Sequence, residues 1–185
     1  LGAEKQRKKY HSELLSRFAS SVPHFKPDSI IEVGAGAGHF MQSVSNLYNL
    51  PVESVLTCEL DQGLASYMKK QGFNTLSGDF TKLDIDQKFD LFIALDVIEH
   101  LEDIKNLPQK IKKLLNKDGI GLIQVPDHTT RKNGVKQFVE HFHYFNRDSI
   151  SKLFKDTFEI VKIIHNESNT VTNSPSMTTI IKNTK

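Results

Sequence analysis

The spacing of apolar positions changes along the chain, and these changes predict which segments are helices and which are strands. Residues 4–22 have apolar side chains at three- and four-residue intervals, which is typical of an amphipathic helix. The apolar positions of this helix are Tyr10, Leu14, Leu15 and Phe18. Short runs with strand signals predict strands at 29–33, 54–59, 74–77, 89–95 and 119–125. Helical spacing between the strands predicts helices at about 38–48, 61–71 and 103–117.

The last part of the chain breaks this alternation. Residues 147–156 have helical spacing, and the runs FEIVKIIH and MTTIIK then follow with no helix between them, which favours a closing hairpin. Five strands that alternate with helices predict an α/β fold with a doubly wound parallel sheet. We expect a single domain over residues 1–185, with ligands bound at the carboxyl ends of the strands.

Composition narrows the classes of protein that fit this pattern. The chain has 185 residues, 38% of them apolar and 25% charged, which is ordinary for a globular domain. No apolar run is long enough to cross a membrane, and no secretory signal is seen. Cys58 is the single cysteine, so a disulfide framework is excluded and a cytoplasmic location is the simplest expectation. A net charge of +2 does not favour nucleic acid as a partner.

The stretch IIEVGAGAGHF places three glycines between a predicted strand and a predicted helix. Such a turn lets the backbone approach a ligand closely. A phosphate loop would end in Gly-Lys-Ser or Gly-Lys-Thr, whereas Gly38 is followed by His39 and Phe40. A dinucleotide loop needs G-x-G-x-x-G, which Gly34 and Gly36 begin but His39 breaks. The pattern present is E-x-G-x-G-x-G, from Glu32 to Gly38.

Acidic residues end the strands that follow this glycine turn. Glu59 ends the second strand, 21 residues after Gly38, where a carboxylate can accept both hydroxyls of a ribose. Asp79 ends the next strand, where it can accept from an adenine amino group, and Phe80 lies beside it. The fourth strand brings Asp96, Glu99 and His100 to the same edge of the sheet.

Together these motifs resemble those of the class I S-adenosylmethionine-dependent methyltransferases. The stretches EVGAGAGHF, TCELD, SGDF and FDLFIALDVIEHLED resemble the family's glycine, ribose, adenine and methyl-side motifs. The family usually carries Pro-Gly-Gly before its fifth strand, where this chain has Lys117-Asp118-Gly119. The resemblance implies a Rossmann-like sheet of seven strands, with the last antiparallel and helices on both faces. It implies a cofactor site formed by Glu32, Gly34, Ala35, Gly36, Gly38, Glu59, Leu60, Asp79, Phe80, Asp96 and Val97.

Histidines are the candidate catalytic residues. His100 and His128 follow the fourth and fifth strands, and His141 and His143 lie in VEHFHYFNRDS before the last helix. We predict His141 or His143 as a general base, with His100 as a further candidate. The alternative is that these rings form a wall of the pocket. We assign no function to the other histidines considered, His11 and His39, and interpret Lys5, Arg7, Lys8 and Lys9 as a solvated helix face.

The stretch DVIEH suggests a divalent metal. If a helical turn follows the strand, Asp96, Glu99 and His100 share one face. These side chains can hold Mg²⁺ or Mn²⁺. The trio resembles the E-x-x-E-H of the ubiquinone-pathway and small-RNA enzymes, with Asp96 in place of the first Glu, and the resemblance implies His141 as a fourth ligand. The alternative is a metal-free relative, in which Glu99 and His100 serve the fold.

The predicted function is methyl transfer from S-adenosylmethionine to an oxygen of a small-molecule acceptor, such as a sugar, a natural product or a quinone precursor. The alternatives are an RNA ribose 2′-O-methyltransferase and a non-catalytic cofactor-binding module. We expect no membrane partner. Residues 127–146 are rich in turn residues and predict a substrate-side lid, with the leading helix at 1–22 beside it. No motif identifies the acceptor or an oligomeric state.

Overall fold

A computed structural model describes residues 2–128, 139–169 and 174–184. The strands are β1 (Ile30–Val33), β2 (Val55–Glu59), β3 (Asn74–Ser77), β4 (Phe89–Leu95), β5 (Leu115–Pro126), β6 (Glu159–Asn169) and β7 (Ser174–Lys182). The helices are α1 (Gly2–Ser21), α2 (His39–Tyr48), α3 (Gln62–Lys70), α4 (Leu107–Leu114) and α5 (Arg147–Phe154). Single 3₁₀ turns lie at Val52–Ser54 and Ile98–His100.

The strands form one seven-stranded sheet in the order β3-β2-β1-β4-β5-β7-β6. Strands β1 to β5 pair in parallel, and β7 runs antiparallel to both β5 and β6. The predicted Rossmann-like α/β fold with an antiparallel last strand is therefore confirmed. The order reverses between β1 and β4, and ligands bind open α/β sheets in the crevice at such a switch point.

Helices cover both faces of the sheet, and each face buries its own hydrophobic cluster. Helices α1 and α2 pack on one face through side chains that include Phe18, Phe40 and Met41. Helices α4 and α5 pack on the other, where Ile111 and Phe154 are fully buried. The apolar stripe predicted for the leading helix is confirmed, since all four of its residues are at most 7% exposed. None of the described helices is long and apolar enough to span a membrane.

The prediction for α4 was wrong at both ends. We expected a helix over 103–117, but α4 covers Leu107–Leu114, with a proline in its first turn. Pro108 fits there because it has no N–H to leave unpaired, and a proline inside a helix would break the hydrogen-bond ladder. Strand β5 begins at Leu115, and an irregularity in its pairing with β4 follows. Asp118 has a left-handed backbone with φ of 62° in this stretch, which excludes a continuing helix.

Candidate active site

The glycine turn between β1 and α2 has a backbone that other residues rarely adopt. Gly34, Gly36 and Gly38 have φ of 71°, 55° and 77°, all in the left-handed region. A Cβ on Gly34 would lie 2.3 Å from Cγ2 of Val97, and one on Gly38 would lie 2.3 Å from Sδ of Met68. Gly34 is therefore required by conformation and by space together, whereas the flexible Met68 side chain can move away from Gly38, which is required by conformation. The turn brings main chain to the carboxyl edge of the sheet, beside the end of β4.

Glu59 ties this turn to the end of β2. One carboxylate oxygen accepts from the N–H of Gly36 at 2.7 Å, and the other accepts from the N–H of Asp61 at 2.9 Å. The side chain is only 8% exposed. Each carboxylate oxygen has a further lone pair, so Glu59 can still accept from hydroxyl groups of a ligand. Its position is thus fixed before any ligand binds.

A cavity of about 290 Å³ opens beside Glu59. The cofactor residues predicted from the resemblance that line it are Gly34, Glu59, Leu60, Asp79, Phe80, Asp96 and Val97. Asp79 accepts from the N–H and the hydroxyl of Thr81 and forms an ion pair with Lys82 at 3.1 Å. These contacts, led by the Thr81 hydroxyl, lower the pKa of Asp79. The cavity is therefore lined by the fixed carboxylate of Glu59, the charged carboxylate of Asp79 and the apolar ring of Phe80.

Lys110, on α4, contacts the ring of Phe80, which lines this cavity. Phe80 is 4% exposed, and Nζ of Lys110 lies 5.0 Å from the centre of its ring. The same ammonium donates to the carbonyl oxygen of Leu83 at 2.7 Å. A cation over an aromatic face is attracted by the ring quadrupole. Lys110 therefore fixes the segment that carries Phe80.

A second cavity, of about 220 Å³, lies on the α1 side of the glycine turn. Glu32 and Ala35 line it, together with Gly34 and Asp96, which also line the first cavity. Glu32 is 3% exposed, and its Oε2 has no hydrogen-bond partner among the described residues. Burial raises its pKa to about 8, against a smaller opposing effect of the Met41 backbone. A buried carboxylate of this kind is poised to accept a cationic group.

Helix α1 contributes three side chains to the second cavity that sequence analysis did not assign to a site: Arg7, Tyr10 and His11. Arg7 was interpreted as part of a solvated face, and His11 and His39 were given no function, yet all three line this cavity. Burial lowers the pKa of His11 to about 4, and the nearby Arg7 and His39 lower it further. The i, i+4 spacing of Arg7 and His11, at the border of the apolar stripe, was the signal that would have found them.

Asp96 lies where the two cavities meet. It follows β4 with φ of 54°, a left-handed backbone that aspartate tolerates better than most residues. Its N–H donates to the carbonyl oxygen of Gln124 at 2.9 Å, and the Gln124 side chain donates to its Oδ2 at 3.2 Å. Burial raises the pKa of Asp96 to about 6, and the Gln124 hydrogen bond opposes this.

The turn Ile98–His100 follows β4 and starts a cluster of imidazoles. The rings of His100 and His141 meet edge to face with centroids 4.6 Å apart. The ring of His128 lies 6.4 Å from that of His141 and 4.8 Å from that of Tyr144. The carbonyl oxygen of Glu99 accepts from the N–H groups of residues 142 and 143, at 2.9 and 3.2 Å. The histidine segment is thus held against the end of β4 by main-chain bonds.

Three of the four predicted metal ligands come together in this cluster. One ligand atom each from Glu99, His100 and His141 lies within 4.8 Å of the others. Both carboxylate oxygens of Glu99 are buried without a hydrogen-bond partner among the described residues. Asp96 is not part of this group, because its backbone turns before the 3₁₀ turn begins at Ile98. The shared helical face that we predicted for positions 96, 99 and 100 was therefore wrong.

The remaining predicted site residues are placed as follows. The ring of His143 lies 6.1 Å from that of Phe145, and His143 does not belong to the group that can hold a metal. Gly36 and Gly38 shape the turn but do not line either cavity. Of the lid predicted at 127–146, residues 129–138 lie outside the described residues.

Comparison with known proteins identifies the family to which the chain belongs. The family model described as a methyltransferase domain matches residues 3–162, which is most of the chain. The chain belongs to this family. Among curated proteins it is 27% identical to a ubiquinone biosynthesis O-methyltransferase of Rickettsia bellii over 105 residues, which are 55% of this chain and 43% of that protein. It is 23% identical to the (S)-coclaurine N-methyltransferase of Papaver somniferum over 107 residues, which are 55% of this chain and 30% of that enzyme.

Solved structures confirm the fold of this methyltransferase domain. The N-methyltransferase NodS of Bradyrhizobium japonicum, in complex with S-adenosyl-L-homocysteine, superposes with a TM-score of 0.75 at 13% identity. The match covers 97% of this chain and 88% of that one. The chain spans less than half the length of the curated relatives named above. These relatives include both oxygen and nitrogen methyltransferases.

One further pair at this edge was not anticipated from the sequence. Nδ1 of His165, on β6, lies 2.9 Å from Oδ2 of Asp127, which follows β5. Asp127 is 1% exposed, and its N–H donates to the carbonyl oxygen of Pro175. The two residues are 38 positions apart, and only the pairing of the closing hairpin with β5 brings them together.

Proposed function

We propose that this methyltransferase domain binds S-adenosylmethionine and transfers its methyl group to an oxygen of a small-molecule acceptor. The observation that carries the proposal is the pair of cavities that meet at Gly34 and Asp96. One cavity has carboxylates and an apolar wall suited to an adenosine. The other has a buried carboxylate, Glu32, suited to the ammonium of an amino acid. A ligand with an adenosine at one end and an amino acid at the other matches both.

The residues fit this cofactor on physical grounds. Glu59 is already oriented by two backbone N–H groups, so it can accept ribose hydroxyls without reorganisation. Asp79 and Phe80 lie together in the same cavity, where they can contact an adenine. The unpartnered oxygen of Glu32 would gain a cationic partner. When bound, the cofactor supplies a methyl group on a sulfonium, which is a good leaving group.

The protein's own contribution to such a transfer is position and proton removal. Holding the acceptor in line with the methyl group can lower the barrier by about 7–11 kcal/mol. The imidazole cluster begins at His100, which lines the first cavity together with Asp96, and we infer that the acceptor binds on this side. An alcohol or phenol acceptor must lose a proton, and His141 is the ring that contacts both His100 and His128 in this cluster. We therefore propose His141 as the general base, with His143 and His100 as the alternatives.

A divalent metal is the second way to remove that proton. Glu99, His100 and His141 offer the mixed carboxylate and imidazole ligands that Mn²⁺ accepts. The carboxylate of Glu99 is buried and has no hydrogen-bond partner among the described residues, which fits a bound cation. A bound metal would supply Lewis acidity that lowers the proton affinity of an acceptor hydroxyl.

Chelation separates the two chemistries. If the metal is used, EDTA should abolish turnover and Mg²⁺ or Mn²⁺ should restore it, whereas Glu99→Ala should lose that rescue. Glu102→Ala, at an exposed position of the same loop, is the matched control and should keep it. Full turnover in EDTA would reject the metal and leave His141 or His143 as the base.

The acceptor class is tested by tritium transfer from labelled cofactor. A metabolite extract, an RNA pool and a protein pool are offered separately, and we expect label in the metabolite extract. Label in RNA would favour the ribose methyltransferase instead. Cofactor binding without label in any pool would favour a non-catalytic module. The weak net charge of +2 disfavours RNA, because nucleic-acid affinity rests largely on contacts of lysine and arginine with phosphate.

A further inference from the structure

Asp96 occupies the one acidic position that the two cavities share. The cavity beside Glu59 and the cavity beside Glu32 have only Gly34 and Asp96 in common among their lining residues. In S-adenosylmethionine, the sulfur is the atom that joins the adenosine to the amino acid. A cofactor that fills both cavities, as proposed above, must therefore pass its sulfur beside Asp96. This inference rests on that proposed use of the cofactor.

The carboxylate of Asp96 is held by a buried glutamine. Gln124 is 1% exposed, and its Nε2 donates to Oδ2 of Asp96 at 3.2 Å. Its Oε1 accepts from the hydroxyl of Tyr10 and, at 3.4 Å, from that of Thr178. A carboxamide whose oxygen is engaged by two hydroxyls has its amino group fixed on the other side. Tyr10 and Thr178 therefore determine that Gln124 presents a donor, and not an acceptor, to Asp96.

This network leads from α1 to the junction of the cavities. Tyr10 is 7% exposed and lies on the helix that also brings Arg7 and His11 to the second cavity. Its hydroxyl does not contribute to the apolar packing of α1, and burying a hydroxyl without a hydrogen-bond partner would cost free energy. A chain of hydrogen bonds leads from Tyr10 through Gln124 to Asp96 at the junction.

The surroundings of Asp96 favour its ionised form more than the surroundings of Glu32 favour that of Glu32. Burial raises the pKa of Glu32 to about 8 and that of Asp96 to about 6, and in Asp96 the Gln124 hydrogen bond opposes the effect. At neutral pH in the cofactor-free protein, Asp96 is thus the ionised one of the two carboxyl groups. A charge with little water around it interacts strongly with a second charge nearby.

We propose that Asp96, positioned by Tyr10 and Gln124, recognises the positive charge on the sulfur of the cofactor. The attraction is present for the sulfonium of S-adenosylmethionine and absent for the neutral thioether of S-adenosyl-L-homocysteine. The site therefore binds the methyl donor more tightly than the demethylated product, and it weakens its hold on the product once the methyl group has left. Tyr10 and Gln124 are positioning residues, because they act on the sulfur only through Asp96.

The test compares ligands that differ in charge at that one atom. Calorimetry measures the Kd of S-adenosylmethionine, of S-adenosyl-L-homocysteine and of sinefungin, in which an amine-bearing carbon replaces the sulfonium. The wild-type protein should bind both charged ligands at least about tenfold more tightly than the neutral one, since an opposite charge nearby is worth about one to three pKa units. Asp96→Asn should reduce this preference to near unity, because it should weaken the two charged ligands far more than the homocysteine product.

Substitutions within the network separate positioning from a merely structural role. Tyr10→Phe should lower the preference for charged ligands several-fold, because it should weaken those ligands more than S-adenosyl-L-homocysteine. The half-buried Tyr48, on α2, lines neither cavity, so Tyr48→Phe is the matched control and should change nothing. If Tyr10→Phe weakened all three ligands equally, Tyr10 would have only a structural role in α1 and its part in the proposal would be rejected.

The outcomes also separate this inference from the proposed function. A wild-type preference near unity, or a preference that survives in Asp96→Asn, would overturn the inference and leave cofactor binding established. Failure of all three ligands to bind the wild-type protein would overturn the proposed function, and the inference with it. Binding of the neutral product by each variant shows that the variant is folded.

Discussion

The carboxyl edge of the sheet has two halves that are organised in different ways. In the half that we propose for the cofactor, from β1 to β4, Glu59 is fixed by main-chain N–H groups and the glycine turn is fixed by its own backbone. In the half that we propose for the acceptor, from the turn at Ile98 to α5, the residues that meet are side chains brought from distant segments. We call these the cofactor half and the acceptor half. One half thus depends on local sequence, and the other depends on how the chain returns to the sheet.

This difference explains why one half suggests its ligand and the other does not. A glycine turn and a strand-end carboxylate each need only a few consecutive residues. Proteins that bind the same ligand in this way therefore share a recognisable sequence motif. An imidazole cluster built from residues 100, 128 and 141 leaves no such pattern. The curated relatives agree, because both match part of this chain but are named for oxygen and nitrogen methylation respectively.

The largest effect that separates the two halves is expected at His141. His141→Gln should lower turnover by about 10²- to 10⁴-fold, which is the range for loss of a general acid or base. The Kd of S-adenosyl-L-homocysteine should stay the same, since His141 lines neither cavity. Single-turnover kinetics and calorimetry measure the two quantities. A parallel loss of cofactor affinity would show that the two halves are not separate.

The cofactor half should show the opposite behaviour at Glu59. Glu59→Ala removes hydrogen bonds to a charged acceptor that are worth about 1.5–3 kcal/mol each, and it also frees the N–H of Gly36 from its partner. Cofactor affinity should therefore fall about 100-fold or more in calorimetry. Glu53→Ala, at an exposed position before the same strand, should have no effect. Equal affinities in the two variants would reject the ribose assignment.

Glu32 should couple cofactor binding to protons. Its pKa is raised from the ordinary 4.5 to about 8 in the empty protein, so it is protonated at pH 7. An ammonium beside it favours the ionised form, and binding should release up to one proton. Calorimetry in buffers of different ionisation enthalpy measures that release, and Glu32→Gln should abolish it. Proton uptake, or release unchanged in Glu32→Gln, would contradict the assignment.

The same shift makes the stability of the empty protein depend on pH. Between pH 4.5 and about 8 the folded protein keeps a proton on Glu32 that the unfolded chain has lost. The free energy of unfolding should therefore fall as the pH rises through this window. Denaturant titrations at several pH values should show a smaller slope in Glu32→Gln than in the wild-type protein. Equal slopes would mean that Glu32 does not carry the effect.

The smallest effect in the cofactor half is expected at Asp79. Asp79 is partly exposed and already bonded to Thr81 and Lys82, so its remaining contribution to an adenine amino group is modest. Asp79→Ala should weaken S-adenosyl-L-homocysteine about tenfold, within the range for one hydrogen bond to a charged group. Asp86→Ala, an exposed position nearby, is the control. An unchanged Kd in Asp79→Ala would remove Asp79 from the adenine assignment.

The sequence was sufficient for the parts of the molecule that local patterns determine. The strand ends, the glycine turn and the hairpin are specified by residues close together, and the structure has them where they were expected. The start of α4 was missed because Pro108 favours the first turn of a helix, an effect stronger than the apolar spacing before it. The early start of β5, at Leu115, was missed because the shifted register there depends on pairing with β4.

The parts of the site that were missed depend on tertiary contacts. Tyr10 belongs to the apolar stripe of α1, and nothing near it in the sequence indicates that its hydroxyl meets Gln124. The pair of Asp127 and His165 needs the hairpin to fold back beside β5. Asp96 was predicted as a metal ligand because a helical turn was assumed to follow β4 directly. In the structure, Asp96 itself has a left-handed backbone, so the helical turn does not include it.

The central claim is that this edge binds an adenosyl amino acid and not a nicotinamide dinucleotide. Calorimetric titration of the protein with S-adenosyl-L-homocysteine and, separately, with NAD tests it most directly, with Glu59→Ala as the site control. We predict saturable binding of S-adenosyl-L-homocysteine that is weakened about 100-fold or more in Glu59→Ala, with no binding of NAD. Saturable binding of NAD, together with no binding of S-adenosyl-L-homocysteine, would contradict the account.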